Sequence, residues 1–378
     1  MTRPPRMRIS LVGPVHPYRG GIAHYTTLLD RSLRARQHDV LLISFKRQYP
    51  RWLYPGRSDR DPSARPLVAE DARFWIDSLN PATWLITAWR ICRYRPDVLV
   101  LQWWTVFWSP AWLVLTGLVR GFTRARIVII CHNVVPHDAP RWQAWLARLI
   151  LPQAHELIVQ SQEEERRLHE LLPSAHSRVV PHPVYDMFAP DKMPLEEARR
   201  LLSLPANATV LLFFGHVRKY KGLSLVLDAL PLIRAKWPDA LLLVAGEFWE
   251  DKQPYENQIA ELGLGEAVVM ENRYIPNEEV ARYFCAANVL VAPYVKVTGS
   301  GVMQMGAGFG LPIASTTDLA GGSHEPGAMA GGQAAERFAE AVIEALREPA
   351  AGRATAGARS DGAAGWQALV AGIEGGSA

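Results

Sequence analysis

The sequence predicts an α/β protein of two doubly wound, Rossmann-like domains facing a cleft. Three observations carry this prediction. Strand-like apolar runs alternate with helix-spaced segments through the first half of the chain. Prolines at 181, 183, 190 and 194 then interrupt the rhythm. After them the alternation restarts, and 378 residues are enough for two hydrophobic cores. The expected domains are 1–182, 183–348, and a Gly/Ala-rich tail over 349–378.

In order, 8–12 reads as a strand and 21–35 as a helix. A strand over 39–44 precedes a polar loop rich in Arg, Pro and Tyr over 46–66. Helical spacing covers 81–94, followed by a strand at 97–102, a helix at 110–122 and a strand at 126–131. Helices at 141–151 and 162–172 flank a strand at 156–160, and a short strand follows at 178–181. In the second half, strands are expected at 209–214, 240–245, 268–271, 289–293 and 312–315. Helices are expected at 224–236, 255–262, 277–287, 301–310 and 335–347. Such alternation gives parallel sheets, whose ligands sit at the carboxyl ends of the strands. The tail is expected to pack loosely, with Trp366 as an anchor and a helix packing back.

Composition narrows the class. Hydrophobic residues make up 49% and charged residues 21%, as in soluble globular proteins. The net charge of +4 suits acidic substrates or an anionic membrane surface without requiring either. Cys92, Cys131 and Cys285 are odd in number and far apart, which favours a reduced cytoplasmic interior over a disulfide framework. The stretch 103–118 is apolar but broken by Ser109-Pro110 and Gly117, too short to read as a membrane span.

Four groups of residues fall at predicted strand ends. Gly20 and Gly21 precede a helix, where glycines let backbone amides approach a phosphate or sugar. His132 follows the strand at 126–131; a lone histidine there is more often structural than catalytic, and its strand-end position raises the functional reading. After Gly215, Arg218 and Lys221 bring two cations to a helix entrance, as a diphosphate requires. Thr298, Gly299, Ser300, Gly301 and Val302 lead into a helix whose amides suit the same anion. Asp59-Arg60-Asp61 has the spelling of a metal-binding Asp-x-Asp, but no buried strand precedes it and it reads as a solvated loop.

The ordered set Gly20-Gly21, His132-Asn133, Arg218-x-x-Lys221-Gly222, then Ser300-Gly301 before a helix ending Phe309-Gly310-Leu311-Pro312 resembles the retaining glycosyltransferases of family 4. The resemblance spans residues 7–318 and implies a GT-B fold. It also implies transfer of a sugar from a nucleotide-diphosphate sugar to a glycan or lipid-linked acceptor. The α configuration would be kept, with no metal or other cofactor. By the same resemblance, Arg218 and Lys221 hold the donor diphosphate with Gly215, Ser300 and Gly301, and His132 contacts the transferred sugar. Tyr274 and Ile275 bracket the nucleotide base. The family's Glu-x7-Glu pattern falls here on Val297 and Met305, and a thioether cannot accept the ribose hydrogen bonds a glutamate would. The alternative reading is therefore a catalytically degenerate GT-B protein acting as a scaffold.

The N-terminal half is also rich in tryptophan, at positions 52, 75, 84, 89, 103, 104, 108, 112, 142 and 145. Trp103 and Trp104 follow the strand at 97–102 and are expected to contact an acceptor sugar. Together with Arg31, Arg34, Arg36, Lys46, Arg47, Arg51, Arg57 and Arg60, the tryptophans suggest a peripheral contact at the inner face of the membrane. No nucleic-acid partner is expected.

Overall fold

Two parallel sheets organise the chain. The computed structural model describes residues 6–135, 141–294, 301–316, 331–347 and 358–375. Two compact units emerge: 1–62 with 66–183 and 363–378, and 63–65 with 184–362.

The first unit runs β1 (Arg8–Val12), α1 (Gly21–Ala35), β2 (Asp39–Arg47), β3 (Arg73–Asp77), α2 (Pro81–Tyr94), β4 (Val98–Trp103), α3 (Ser109–Phe122), β5 (Arg126–Cys131), α4 (Arg141–Ile150), β6 (Glu156–Val159), α5 (Gln162–Leu171) and β7 (Ser177–Val179). Its seven strands lie in the order β3-β2-β1-β4-β5-β6-β7. Every residue of β4 is buried, because a parallel sheet covered on both faces needs apolar side chains in both directions. One face packs α2, α3 and α4 through Ala88, Ile91, Trp112, Leu115, Ala147 and Ile150 onto Leu99, Leu101, Ile127 and Ile129. Asn80 caps α2, its Oδ1 accepting the Ala82 N–H at 3.1 Å, and Ser161 Oγ caps α5 by accepting from Glu164 at 3.1 Å.

The second unit runs α6 (Leu195–Leu201), β8 (Thr209–Phe214), α7 (Leu223–Arg234), β9 (Ala240–Ala245), α8 (Gln253–Glu261), β10 (Val268–Glu271), α9 (Asn277–Ala286), β11 (Val289–Ala292), α10 (Gly301–Phe309), β12 (Ile313–Ser315) and α11 (Gly331–Arg347). Its five strands are ordered β10-β9-β8-β11-β12. Ser63–Arg65 is held here by α9: the Glu278 carboxylate accepts the Ala64 N–H at 2.9 Å, and Ser63 Oγ accepts the Asn277 N–H at 2.9 Å.

Three features depart from the sequence reading. The strand β3 and the helix α6 were not expected. The described part of the tail is not loose: the expected returning helix, α12 (Ala358–Glu374), buries Trp366, Leu369, Val370 and Ile373, and from residue 363 it counts with the first unit. Its last turn is tied down as well. Glu374 pairs with His38 at 2.8 Å and Arg36 at 3.4 Å, and the Ile373 carbonyl accepts from Arg126. Among the described residues, no helix is long and apolar enough to cross a membrane.

Trp366→Ala would remove a buried ring that packs on Tyr25 at 5.1 Å between centroids. Loss of a buried aromatic costs about 3–5 kcal/mol, so the urea midpoint of the first unit should fall clearly. An unchanged midpoint would separate α12 from the core.

Candidate functional site

In each sheet the strand order reverses beside the first strand, between β1 and β4 and between β8 and β11. Connections leave to opposite faces at such a point, and the crevice at the carboxyl ends takes the ligand. Of the sequence-predicted residues, Gly20 and Gly21 follow β1, His132 follows β5, and Gly215, Arg218 and Lys221 follow β8.

In the second unit, β8 delivers Gly215. Its φ of +95° is one that side chains rarely tolerate, and an added Cβ would lie 3.3 Å from both Lys221 Nζ and Val302 Cγ2. The strand end, the lysine and the first turn of α10 therefore converge on one spot. Arg218 lies over the Trp249 ring, 4.2 Å from its centroid, and His216 stacks on the same indole at 4.1 Å. The indole Nε1 donates to Glu247 Oε2 at 2.9 Å. Guanidinium, imidazole, indole and carboxylate thus form one braced group that fixes the Arg218 side chain. Lys221 is half-buried, with its ammonium 5.6 Å from the Tyr294 ring centroid. Burial first, and the neighbouring Arg218 charge second, hold its pKa down to about 8. A desolvated cation beside a like charge gains most when an anion arrives.

Trp249 and Glu247 escaped the sequence reading. The signal was present: Gly246 ends the buried run of β9 as Gly215 ends that of β8, and residues just past it inherit the same edge. Tyr274 sits 6.5 Å from His216, ring to ring. The Ile275 side chain is buried in the core of this unit, so it offers no side-chain face to a base. The segment is stiffened by Arg273, which donates to Glu271 at 3.0 Å and Glu279 at 2.5 Å. Met305 and Val302 of α10 pack on the same core. Thr298, Gly299, Ser300 and Val297 lie outside the described residues.

In the first unit, Gly20 precedes α1 with φ +105°, and Gly21 opens the helix with no acidic residue in its first turn. The loop at 59–61 lies against this entrance: the Asp59 carbonyl accepts from Arg19 at 3.0 Å, and Asp61 donates its N–H to Pro17 at 2.9 Å. Among the described residues no group of three His, Cys, Asp or Glu is arranged to hold a metal.

His132 follows β5. Its Nε2 lies 2.6 Å from Gln102 Oε1, and its Nδ1 is 3.3 Å from Gln160 Nε2. The glutamines fix one neutral tautomer, Nε2–H donating and Nδ1 accepting. Burial, reinforced by His182, pushes the pKa down to about 3. The ring therefore has no open nitrogen for acid–base work. Tyr25 of α1 touches it edge-on at 4.7 Å and also packs on His182 at 5.2 Å. Trp103 departs from expectation. It is 1% exposed, with its Nε1 donating to the Val134 carbonyl at 3.1 Å, so it offers no ring face for a sugar. Trp104 is half-buried and donates to Tyr49 Oη at 2.7 Å.

Residues 208–348 match the family model described as glycosyl transferases group 1, and residues 20–184 match the glycosyl transferase 4-like domain. The chain belongs to the family 4 glycosyltransferases. A relative from Catenulispora acidiphila, named D-inositol 3-phosphate glycosyltransferase 1, is 30% identical over 243 residues, covering 59% of this chain and 57% of its own. The chain spans about half the length of the curated relatives it matches. Among solved structures, sucrose-phosphate synthase from Thermosynechococcus elongatus superposes with a TM-score of 0.64 at 21% identity, covering 98% of this chain and 96% of that one. HepE of Anabaena in complex with UDP-glucose gives 0.64 at 15%, covering 97% and 95%. These likenesses establish the GT-B fold of the chain.

Lys221 gives the site a pH signature. Above about pH 8 its ammonium loses the proton, so pyrophosphate binding measured by calorimetry should weaken as pH rises through that value. Bound anion favours the charged form, so binding near the midpoint should take up a proton, visible as a buffer-dependent heat. Arg218→Ala removes a like charge and should move the midpoint upward. A flat profile from pH 7 to 9 would contradict the assignment of Lys221.

Proposed function

We propose that the chain is a metal-independent retaining glycosyltransferase. It moves a sugar from a nucleotide-diphosphate sugar to a glycan or lipid-linked acceptor, in the assembly of cell-envelope polysaccharide or glycolipid. One observation carries this reading: Arg218 and Lys221 share the end of β8 with Gly215 and α10. Breaking the glycosidic bond leaves a diphosphate dianion. Preorganised cations at that position stabilise the charge as it develops, which is where catalysis gains most. They supply what a divalent metal supplies elsewhere. The acceptor proton passes to the departing phosphate on the same face, so retention needs no protein nucleophile. His132, held neutral with both ring nitrogens bonded to Gln102 and Gln160, contributes position and ring surface rather than charge. The UDP-glucose complex of the Anabaena neighbour supports a nucleotide-diphosphate sugar as donor. The three free cysteines suit a reducing, cytoplasmic setting.

The test is turnover against a panel of nucleotide sugars, with slow donor hydrolysis as the minimal readout. Arg218→Ala and Lys221→Ala should each lower it by roughly 10² or more. EDTA should leave it largely intact. Near-normal turnover in both variants would sink the proposal.

Val297 and Met305 favour the second reading, a degenerate scaffold, because neither can hold a ribose through a carboxylate. Met305→Glu should tighten UDP or GDP binding if the ribose lies beside α10, since a charged hydrogen bond contributes about 1.5–3 kcal/mol. Failure of wild type and variant alike to bind any nucleotide would favour the scaffold.

A further inference from the structure

Half of the basic cluster singled out in the sequence pairs with acids of its own unit, Arg60 with Asp59 at 3.7 Å among them. Arg34 pairs with Asp30 at 2.9 Å, Arg36 with Glu374 at 3.4 Å and Arg47 with Asp77 at 3.6 Å. A different surface stands out. The adjoining helices α2, α3 and α4 are apolar on both sides. Their inner residues fill the core, while Leu85, Trp89, Phe122, Trp142 and Trp145 face solvent. Trp89, Trp142 and Trp145 are 57%, 56% and 61% exposed, and Phe122 is 76% exposed. Trp142, Trp145 and Leu149 form one outward stripe on α4, opposite the buried Ala147 and Ile150.

The charges that the three helices carry have one sign. None of the three helices contains an acidic residue. Arg93, Arg120, Arg141 and Arg148 are exposed on them, with the Arg93 guanidinium 5.0 Å from the Trp89 ring centroid. Exposed tryptophan beside arginine, without acids, matches the interface of an anionic bilayer: indole seats at the headgroup level and guanidinium meets lipid phosphate. A symmetric second copy fits poorly, because a two-fold contact would set this all-cationic surface against itself.

We propose that α2, α3 and α4 form a docking face for an anionic lipid bilayer. The proposal stands apart from the sugar-transfer reading and is tested without it. Full-length protein is sedimented with phosphatidylcholine vesicles, with and without roughly 30% phosphatidylglycerol. Binding should require the anionic lipid and fall as salt rises. Arg93→Gln with Arg120→Gln should weaken it roughly 25-fold, at about fivefold per charge. Trp142→Ser with Trp145→Ser should weaken it separately, with thermal midpoint and pyrophosphate binding unchanged as evidence of folding. Absence of binding at low salt overturns the proposal, as does full binding by both double variants. A lipid-free dimer in ultracentrifugation that Trp142→Ser/Trp145→Ser turns to monomer would instead assign the face to a second copy.

Discussion

A parallel sheet sends every strand's carboxyl end to one edge, and the rest of this protein is arranged around that constraint. Backbone pairing fixes β1, β4 and β5 in step, so Val12, Leu101 and Ile129 lie level with one another near the ends of their strands. In the second sheet the same geometry places Gly215 beside Ala245, whose carbonyl accepts its N–H at 2.9 Å. Residues distant in sequence become neighbours because they all follow strand ends. Both faces of each sheet must then be covered by helices, which explains the almost uninterrupted burial of β4, β8 and β9.

Above that edge, aromatic rings do much of the positioning. Tyr25 touches His132, His182 and Trp366, so the first helix, the fifth strand, the end of the first unit's long segment and the C-terminal helix meet at one phenol. Burial raises its pKa, and its hydroxyl interacts with Gln160, which also reaches His132. Trp249 has the matching role in the second unit, bracing Arg218. A flexible arginine carries about 2 kcal/mol of rotamer entropy, and a ring that limits it in advance lowers the cost of ordering it on an anion.

What the sequence discloses follows from this physics. Strands buried on both faces are continuous apolar runs, so 209–214 and 240–245 were legible to the residue. The edge strand β3 was not, since Arg73 and Asp77 frame only three apolar residues and β2 is its only partner. The seven-residue α6 carries too little periodicity to register. In α12 the Gly/Ala composition hid a valid stripe: Trp366, Leu369, Val370 and Ile373 follow 3, 4 and 7 spacing. At the site, Arg218 and Lys221 were legible because they are close in sequence on a recognisable strand–turn. Gln102 and Gln160 were not, because their relation to His132 exists only in space. Trp103 misled for a related reason: a strand-end position does not say which way a side chain points, and this one turns inward to Val134.

The two strand edges differ in electrostatic character, and the difference bears on the chemistry. In the first unit His24 and His182 are held near pKa 4 and His132 near 3, all chiefly by burial. At neutral pH these imidazoles carry no charge, and both His132 nitrogens are already bonded to glutamines. In the second unit Arg218 and Lys221 keep two positive charges close together despite the partial desolvation of Lys221. A surface of neutral hydrogen-bonding groups suits hydroxyls, and a braced cation pair suits a diphosphate. Under the proposed function, uncharged hydroxyls would suit the first and an ionised leaving group the second. Protonating His132 would require it to give up its acceptance from Gln160 and place a charge in a buried pocket, so a role in proton transfer runs against its surroundings. Under the proposed transfer, charge stabilisation would fall to the second unit, and the first would contribute shape and hydrogen bonds.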